Sequence, residues 1–181
     1  QKNLCITPGA PDVSEVYSPP RVTNMAKALK MRPGWALDLT CDDPDDGLPW
    51  DFSNIDKQAK VKTMLERDKP FALITCPMCG PFSKLNEVFN YPKLPTNEVE
   101  SKIAEALLHL KFTVELCIMQ YEAGRVFLFE HPDSATSWFS QVIEVLMQLD
   151  GVHRVTFDFC MMGMTTQNKD GTTAAAKKPT G

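Results

Sequence analysis

The sequence predicts an α/β fold, with a mostly parallel sheet and helices on both faces. Two observations carry that expectation. Short apolar runs of strand length alternate with longer stretches of helical periodicity along most of the chain. The alternation strand, helix, strand is kept through five predicted strands, and crossovers of that kind place successive strands parallel in one sheet.

The elements follow in order. Residues 1–12 carry Pro8, Gly9 and Pro11 without periodicity and are expected to form an extended arm. Val13-Ser-Glu-Val-Tyr17 is a short strand. Ser18-Pro-Pro-Arg21 opens a helix, with Ser18 as cap, and Val22, Met25, Ala26 and Leu29 lie at helical spacing. Pro33-Gly34 ends that helix, and Trp35-Ala-Leu-Asp-Leu39 is the second strand. Asn54 caps a helix to about Arg67, with Ile55, Ala59, Met64 and Leu65 on its buried side.

Phe71–Thr75 is the third strand, followed by a loop with Pro77, Gly80, Pro81, Pro92 and Pro95. Asn97 with Glu100 three residues later predicts the start of a long helix to about Glu122, stopped by Gly124. Arg125–Phe129 is the fourth strand, 136–149 a further helix and Val152–Phe159 the fifth strand. The α/β domain then spans 13–164, and 165–181, rich in small and polar residues, is expected as a flexible tail.

Bulk properties narrow the function classes. A chain of 181 residues suffices for one domain with a real core. The formal charge of −4 argues against wholesale binding of nucleic acid by charge, although a local basic face is compatible with it. No apolar run of about eighteen residues is present, so no transmembrane helix and no membrane partner are expected. The six cysteines are irregularly spaced, several within apolar runs, which fits reduced thiols and an intracellular location. The N-terminus carries no signal-peptide pattern, and Gln1 in first place points to a fragment or processed product.

In open parallel sheets ligands bind beyond the carboxyl ends of the strands. Here those ends carry Ser18, Asp38, Cys76 to Ser83, Glu130, His131, Asp158 and Cys160. Cys76-Pro-Met-Cys79 allows several readings. Zinc needs two further ligands, for which only Cys160 and His131 offer themselves. A thiol redox pair needs a helix directly after it, which Pro81 opposes. Cys76 fits a small apolar packing residue. Glu130 is either an acid of a site or a carboxylate capping the next helix. Asp38 is a ligand or a loop cap, and His131 before Pro132 suits a hydrogen-bonded turn.

Pro77-Met78-Cys79-Gly80-Pro81-Phe82-Ser83 after one strand and Glu130-His131-Pro132 after the next resemble the catalytic half of DNA (cytosine-5) methyltransferases. That family carries Pro-Pro-Cys-Gln-x-Phe-Ser and Glu-Asn-Val at these places. Cys79, Phe82, Ser83 and Glu130 match, whereas Met78, Gly80 and His131 depart. Asp38 and Asp51 fall where the family has acidic residues. Val16-Tyr17-Ser18-Pro19-Pro20 stands where the family has a glycine-rich cofactor loop, and it holds no glycine.

The resemblance covers about 13–160 and leaves no room for a target-recognition domain. It implies a Rossmann-like three-layer sandwich that uses S-adenosylmethionine to methylate nucleic acid, DNA in the first place. Cys79 is then the nucleophile toward cytosine, with Glu130 its acidic partner. Tyr17, Ser18, Asp38, Asp51 and Pro77 fall to the cofactor, and Phe82, Ser83 and His131 to the substrate. The alternative is a catalytically inactive descendant that binds nucleic acid or protein inside a larger viral or mobile-element polypeptide.

Overall fold

The computed structural model describes residues 4–181, so Gln1–Asn3 of the expected arm lie outside the described residues. Its centre is a sheet of four parallel strands in the order β2-β1-β3-β4. The strands are β1 (Val13–Val16), β2 (Pro33–Leu37), β3 (Ala72–Thr75) and β4 (Val126–Phe129). The helices are α1 (Val22–Ala28), α2 (Ile55–Asp68), α3 (Thr96–Glu122) and α4 (Gln141–Met147). The α/β class and the parallel sheet expected from the alternation are therefore present.

Alternation along each strand decides what meets what. Val16, Leu37 and Leu73 face one way and form a core with Val61 and Leu65 of α2 and Phe112 and Leu116 of α3. On another side of α3, Leu110, Val114 and Cys117 join Ile143 and Leu146 of α4, with Phe127 and Phe129 of β4 against them. Glu15 points to the opposite side from Val16 and is held there by Thr23 in the first turn of α1. On that side Leu128 of β4 is 54% exposed.

Local signals account for several boundaries. Asn54 caps α2, its side chain accepting from the Asp56 N–H. Lys69, with φ 50°, ends the helix in the left-handed region. Ser140 caps α4 in the same way, splitting the expected 136–149 helix into a 3-10 turn, Thr136–Phe139, and α4.

Four expectations are corrected. Pro33-Gly34 does not merely end a helix but begins β2, and a Cβ on Gly34 would meet Ser14 Oγ at 2.1 Å, so the close strand approach requires glycine there. Asn97 does not cap α3, which starts one residue earlier, after Pro95. Val152–Phe159 does not join the parallel sheet. Only β5 (Phe157–Asp158) is strand, and it pairs antiparallel with β8 (Pro179–Thr180). The expected tail, 165–181, is folded: β6 (Thr165–Gln167) and β7 (Thr173–Ala175) make a hairpin, and β8 returns to the end of β4.

The loop before α2 is fixed by charge. Asp43 is buried and accepts from Lys57 at 2.6 Å and from Lys60, while both ammonium groups lie over the Trp50 ring. Burial opposes ionisation of Asp43, but the two lysines outweigh it and hold its pKa down to about 2. A carboxyl with a depressed folded pKa stabilises above its unfolded value, and that contribution is lost as pH falls through the folded value. Wild-type unfolding free energy is therefore expected to drop between pH 3.8 and about 2, and Asp43→Asn to flatten that segment while weakening the fold at neutral pH; denaturant titrations across pH check this. Leu65→Ala, at a fully buried position, should cost about 2–5 kcal/mol in the same assay.

Candidate functional site

The register of two neighbouring strands builds the site. β3 and β4 pair with Thr75 beside Phe129, and the Glu130 N–H bonds the Thr75 carbonyl at 2.9 Å. The next residue of each strand, Cys76 and Glu130, thus emerges on the same edge. Cys76 is anchored by its N–H to the Val16 carbonyl of β1 at 3.2 Å. Both line a cavity of about 980 Å³ with Ile74, Val126, Leu128 and Val155. Its walls are mainly apolar, as ligand cavities commonly are.

The polar groups at this edge are already engaged. Glu130 accepts from the Thr180 hydroxyl, and Lys178 stands 3.9 Å away. Glu15, fully buried on β1, accepts from Ser18 Oγ at 2.8 Å, from the Thr23 N–H at 2.6 Å and from Thr23 Oγ1 at 2.8 Å. Burial, with the charges of Glu130 and Glu15 added, pushes the Cys76 thiol up to about 12. Cys76 is a protonated thiol at neutral pH, not an activated nucleophile. Cys117, buried on α3, is likewise raised to about 12 by desolvation.

His131 is a strut. Its ring is fully buried against Phe129 and Phe82, at 5.0 and 6.0 Å between centroids. Nε2 lies 3.2 Å from the Pro77 carbonyl and Nδ1 2.6 Å from Ser137 Oγ. A carbonyl only accepts, so Nε2 carries the proton and Nδ1 accepts from Ser137. Burial lowers the His131 pKa and keeps the ring neutral. It ties the cysteine loop to the turn after β4 and has no hydrogen-bonding atom left over.

The other expected site residues separate into groups. Cys79 heads the 3-10 turn Gly80–Phe82, its carbonyl accepting from the Phe82 N–H at 3.1 Å. It lines neither the large cavity nor the one of about 270 Å³ bounded by Gly80, Asn86 and Tyr91. Phe82 is buried in the α3–α4 core, and Ser83 Oγ accepts from the Leu85 N–H. Pro77 is held by His131.

Tyr17, with φ 59°, packs its ring on Phe52 at 4.8 Å, and its hydroxyl lies 2.9 Å from His109 Nδ1. Ser18 belongs to the Glu15 cluster and does not cap α1. Asp38 accepts from the N–H and hydroxyl of Thr40, and Asp51 from the Ser53 N–H, so both stabilise their own loops. Those bonds also lower the Asp51 pKa.

Glu15, Ser137, Lys178 and Thr180 were not singled out from sequence. A Glu within Val13-Ser-Glu-Val16, followed by Ser18 and Thr23, was a usable signal, because a buried carboxylate needs donors nearby. Thr180 carried none. Among the described residues, no group of three or more His, Cys, Asp or Glu side chains is placed to hold a metal ion, and no helix is long and apolar enough to cross a membrane. The chain matches no family model, no curated protein and no solved structure.

The raised thiol pKa has a direct consequence. Alkylation by iodoacetamide at pH 8, followed by peptide mass spectrometry, should modify Cys76 about a thousandfold more slowly than an unperturbed cysteine, the ratio of thiolate at pKa 12 and 9. Exposed Cys5 should react at once, and buried Cys117 only on unfolding.

Proposed function

We propose that this chain is a Rossmann-like, methyltransferase-like α/β domain that works as a binding module of a larger polypeptide rather than as a catalyst. The turn from β1 to α1 carries this reading. In a cofactor-binding turn of this type, glycines let the backbone approach the ligand, and free N–H groups meet it. Here the turn is Tyr17-Ser18-Pro19-Pro20. Two prolines remove N–H donors. Glu15 draws the turn inward through Ser18 and Thr23, and the Tyr17 ring is packed between Phe52 and Phe112. These residues do not fit S-adenosylmethionine.

The partner in this reading is protein before nucleic acid. The cavity walls are mainly apolar, the carboxylates of Glu130 and Asp150 are offset there by Arg125 and Arg154, and the chain is acidic overall. A phosphate backbone asks for a basic excess.

A second reading is favoured by one specific feature. The cysteine loop and Glu130 follow adjacent parallel strands, as a cytosine-5 methyltransferase acting through Cys79 would require. At the head of its 3-10 turn, Cys79 is partly exposed.

Calorimetry with S-adenosylmethionine, then incubation with DNA containing 5-fluorocytosine, tests both. The binding-module reading expects no heat of cofactor binding and no covalent adduct. Cofactor binding together with an adduct that disappears in Cys79→Ser would replace it with the enzyme.

A further inference from the structure

α3 outgrows the sheet it packs on. Its 27 residues rise about 40 Å, whereas the 4 residues of β1 span about 13 Å. Gln120 meets the entrances of β3 and β4, and Phe112 and Leu116 pack along the sheet. His109 therefore lies level with the carboxyl edge above β1, and Glu105 stands one turn further out on the same helix face.

His109 is 6% exposed, and only one of its ring nitrogens is engaged. Nδ1 lies 2.9 Å from the Tyr17 hydroxyl, whereas Nε2 has no partner among the described residues. Among those residues, the sealed side-chain atoms without a partner are Ser14 Oγ and Asp158 Oδ1. Nε2 is not one of them, so it looks out through the small opening of its niche.

Tyr17 fixes the posture of this ring. It ends β1 with φ 59°, a left-handed backbone that a tyrosine holds only where its surroundings impose it. Its ring stands edge-on to His109 at 5.7 Å between centroids and packs on Phe52 and Phe112. Its hydroxyl also lies 3.5 Å from the His109 carbonyl, to which it donates. With Nδ1–H directed at the same hydroxyl oxygen, the Nε2 lone pair is free for an outside donor.

Two carboxylates act on His109 from different elements. Glu105 comes from α3, and Asp51 from the loop before α2, where its buried neighbours Trp50 and Phe52 leave it exposed. Burial lowers the His109 pKa, and Glu105 and then Asp51 oppose that by charge. Asp51 Oδ1 accepts from the Ser53 N–H at 2.9 Å. Neither carboxylate has an ion pair among the described residues. The three groups do not gather closely enough to hold a metal ion. An organic cation spreads its N–H donors over a wider span and reaches all three.

We propose that His109, Asp51 and Glu105 form a receptor for one basic side chain, the ammonium of a lysine or the guanidinium of an arginine, presented by a partner protein. The carboxylates supply the charge, and Nε2 accepts one N–H directly. The formal charge of −4 favours a basic partner in the same sense. The inference rests on the binding-module reading for the source of the cation alone.

Nuclear magnetic resonance of the His109 ring nitrogens in the full chain tests it. The probes, titrated at constant ionic strength, are acetyl-lysine amide, acetyl-arginine amide, the neutral acetyl-citrulline amide and spermidine. Saturable shifts at His109 are expected with the lysine or arginine amide and none with citrulline amide. Asp51→Asn combined with Glu105→Gln should weaken that binding about tenfold, two exposed ion pairs being lost. Both positions are exposed, and asparagine keeps an acceptor for the Ser53 N–H. Glu66→Gln combined with Glu122→Gln removes the same charge from exposed places near the opposite ends of α2 and α3 and should bind as wild type does.

The proposal fails if neither amide saturates, or if citrulline amide shifts His109 equally. It fails as well if the site variant binds as tightly as wild type, or if the charge-matched control loses as much affinity as the site variant. Saturation by spermidine alone makes this a site for a free amine and overturns the protein partner. The two failures read separately: a heat of S-adenosylmethionine binding removes the binding module, and a flat titration with both amides removes this site.

Discussion

The parallel pairing of β3 with β4 is the constraint on which the rest of this structure depends, and α3 enforces it. Gln120, buried near the end of α3, donates from its amide to the carbonyls of Pro70 and Val126, at 3.1 Å each. Those carbonyls lie at the entrances of β3 and β4. One side chain therefore sets where each strand starts, and a one-residue slip would turn every side chain of β4 to the wrong face. Four residues further on, the same register delivers Cys76 and Glu130 to one edge. Ahead of Gln120, Phe112, Leu116 and Cys117 of the same helix fill both cores, so packing and register are coupled through α3.

Electrostatics then limits what that edge does. Two carboxylates, Glu15 and Glu130, flank the Cys76 thiol, and the cations that act on it are Lys178 and Arg21. Glu15 is fully occupied with three donors from the β1–α1 turn. That occupation tightens the turn that a cofactor would need open. Burial is the largest cause of the raised Cys76 pKa and Glu130 the next, and Glu15 adds to them while it also tightens the turn. His131, the residue most like a general base by type, is spent on joining Pro77 to Ser137.

How much was legible in the sequence follows from how local each signal is. The apolar runs placed all four strands of the sheet within about two residues, because burial on a parallel sheet leaves a contiguous mark. Asn54 was legible as a cap since its partner, the Asp56 N–H, is two residues away. Asn97 carried the same pattern, yet Pro95 had already fixed the chain for a helix beginning at Thr96. Val152–Phe159 reads as a strand, but its end pairs with β8, from some twenty residues further on, which stands between it and the His131–Asp133 continuation of β4. The tail was misjudged for the same reason. Small polar residues gave no local sign that Thr180 would be buried against Glu130 and His131. Cys79 was identified by its motif, whereas the side chain that shares the cavity with Glu130 is Cys76, a distinction set by where the strand ends.

An open sheet edge is a liability unless something covers it or pairs with it. Just past the carboxyl end of β4, His131–Asp133 pair with β8, and among the described residues no backbone group pairs with Phe127 or Phe129. The segment that forms β8 is also the one that brings Lys178 near Glu130 and Cys76. Lys178 and Arg21 favour the thiolate of Cys76, but burial and the charges of Glu130 and Glu15 outweigh them. The result is an edge where a protonated thiol and an engaged carboxylate face a mainly apolar cavity.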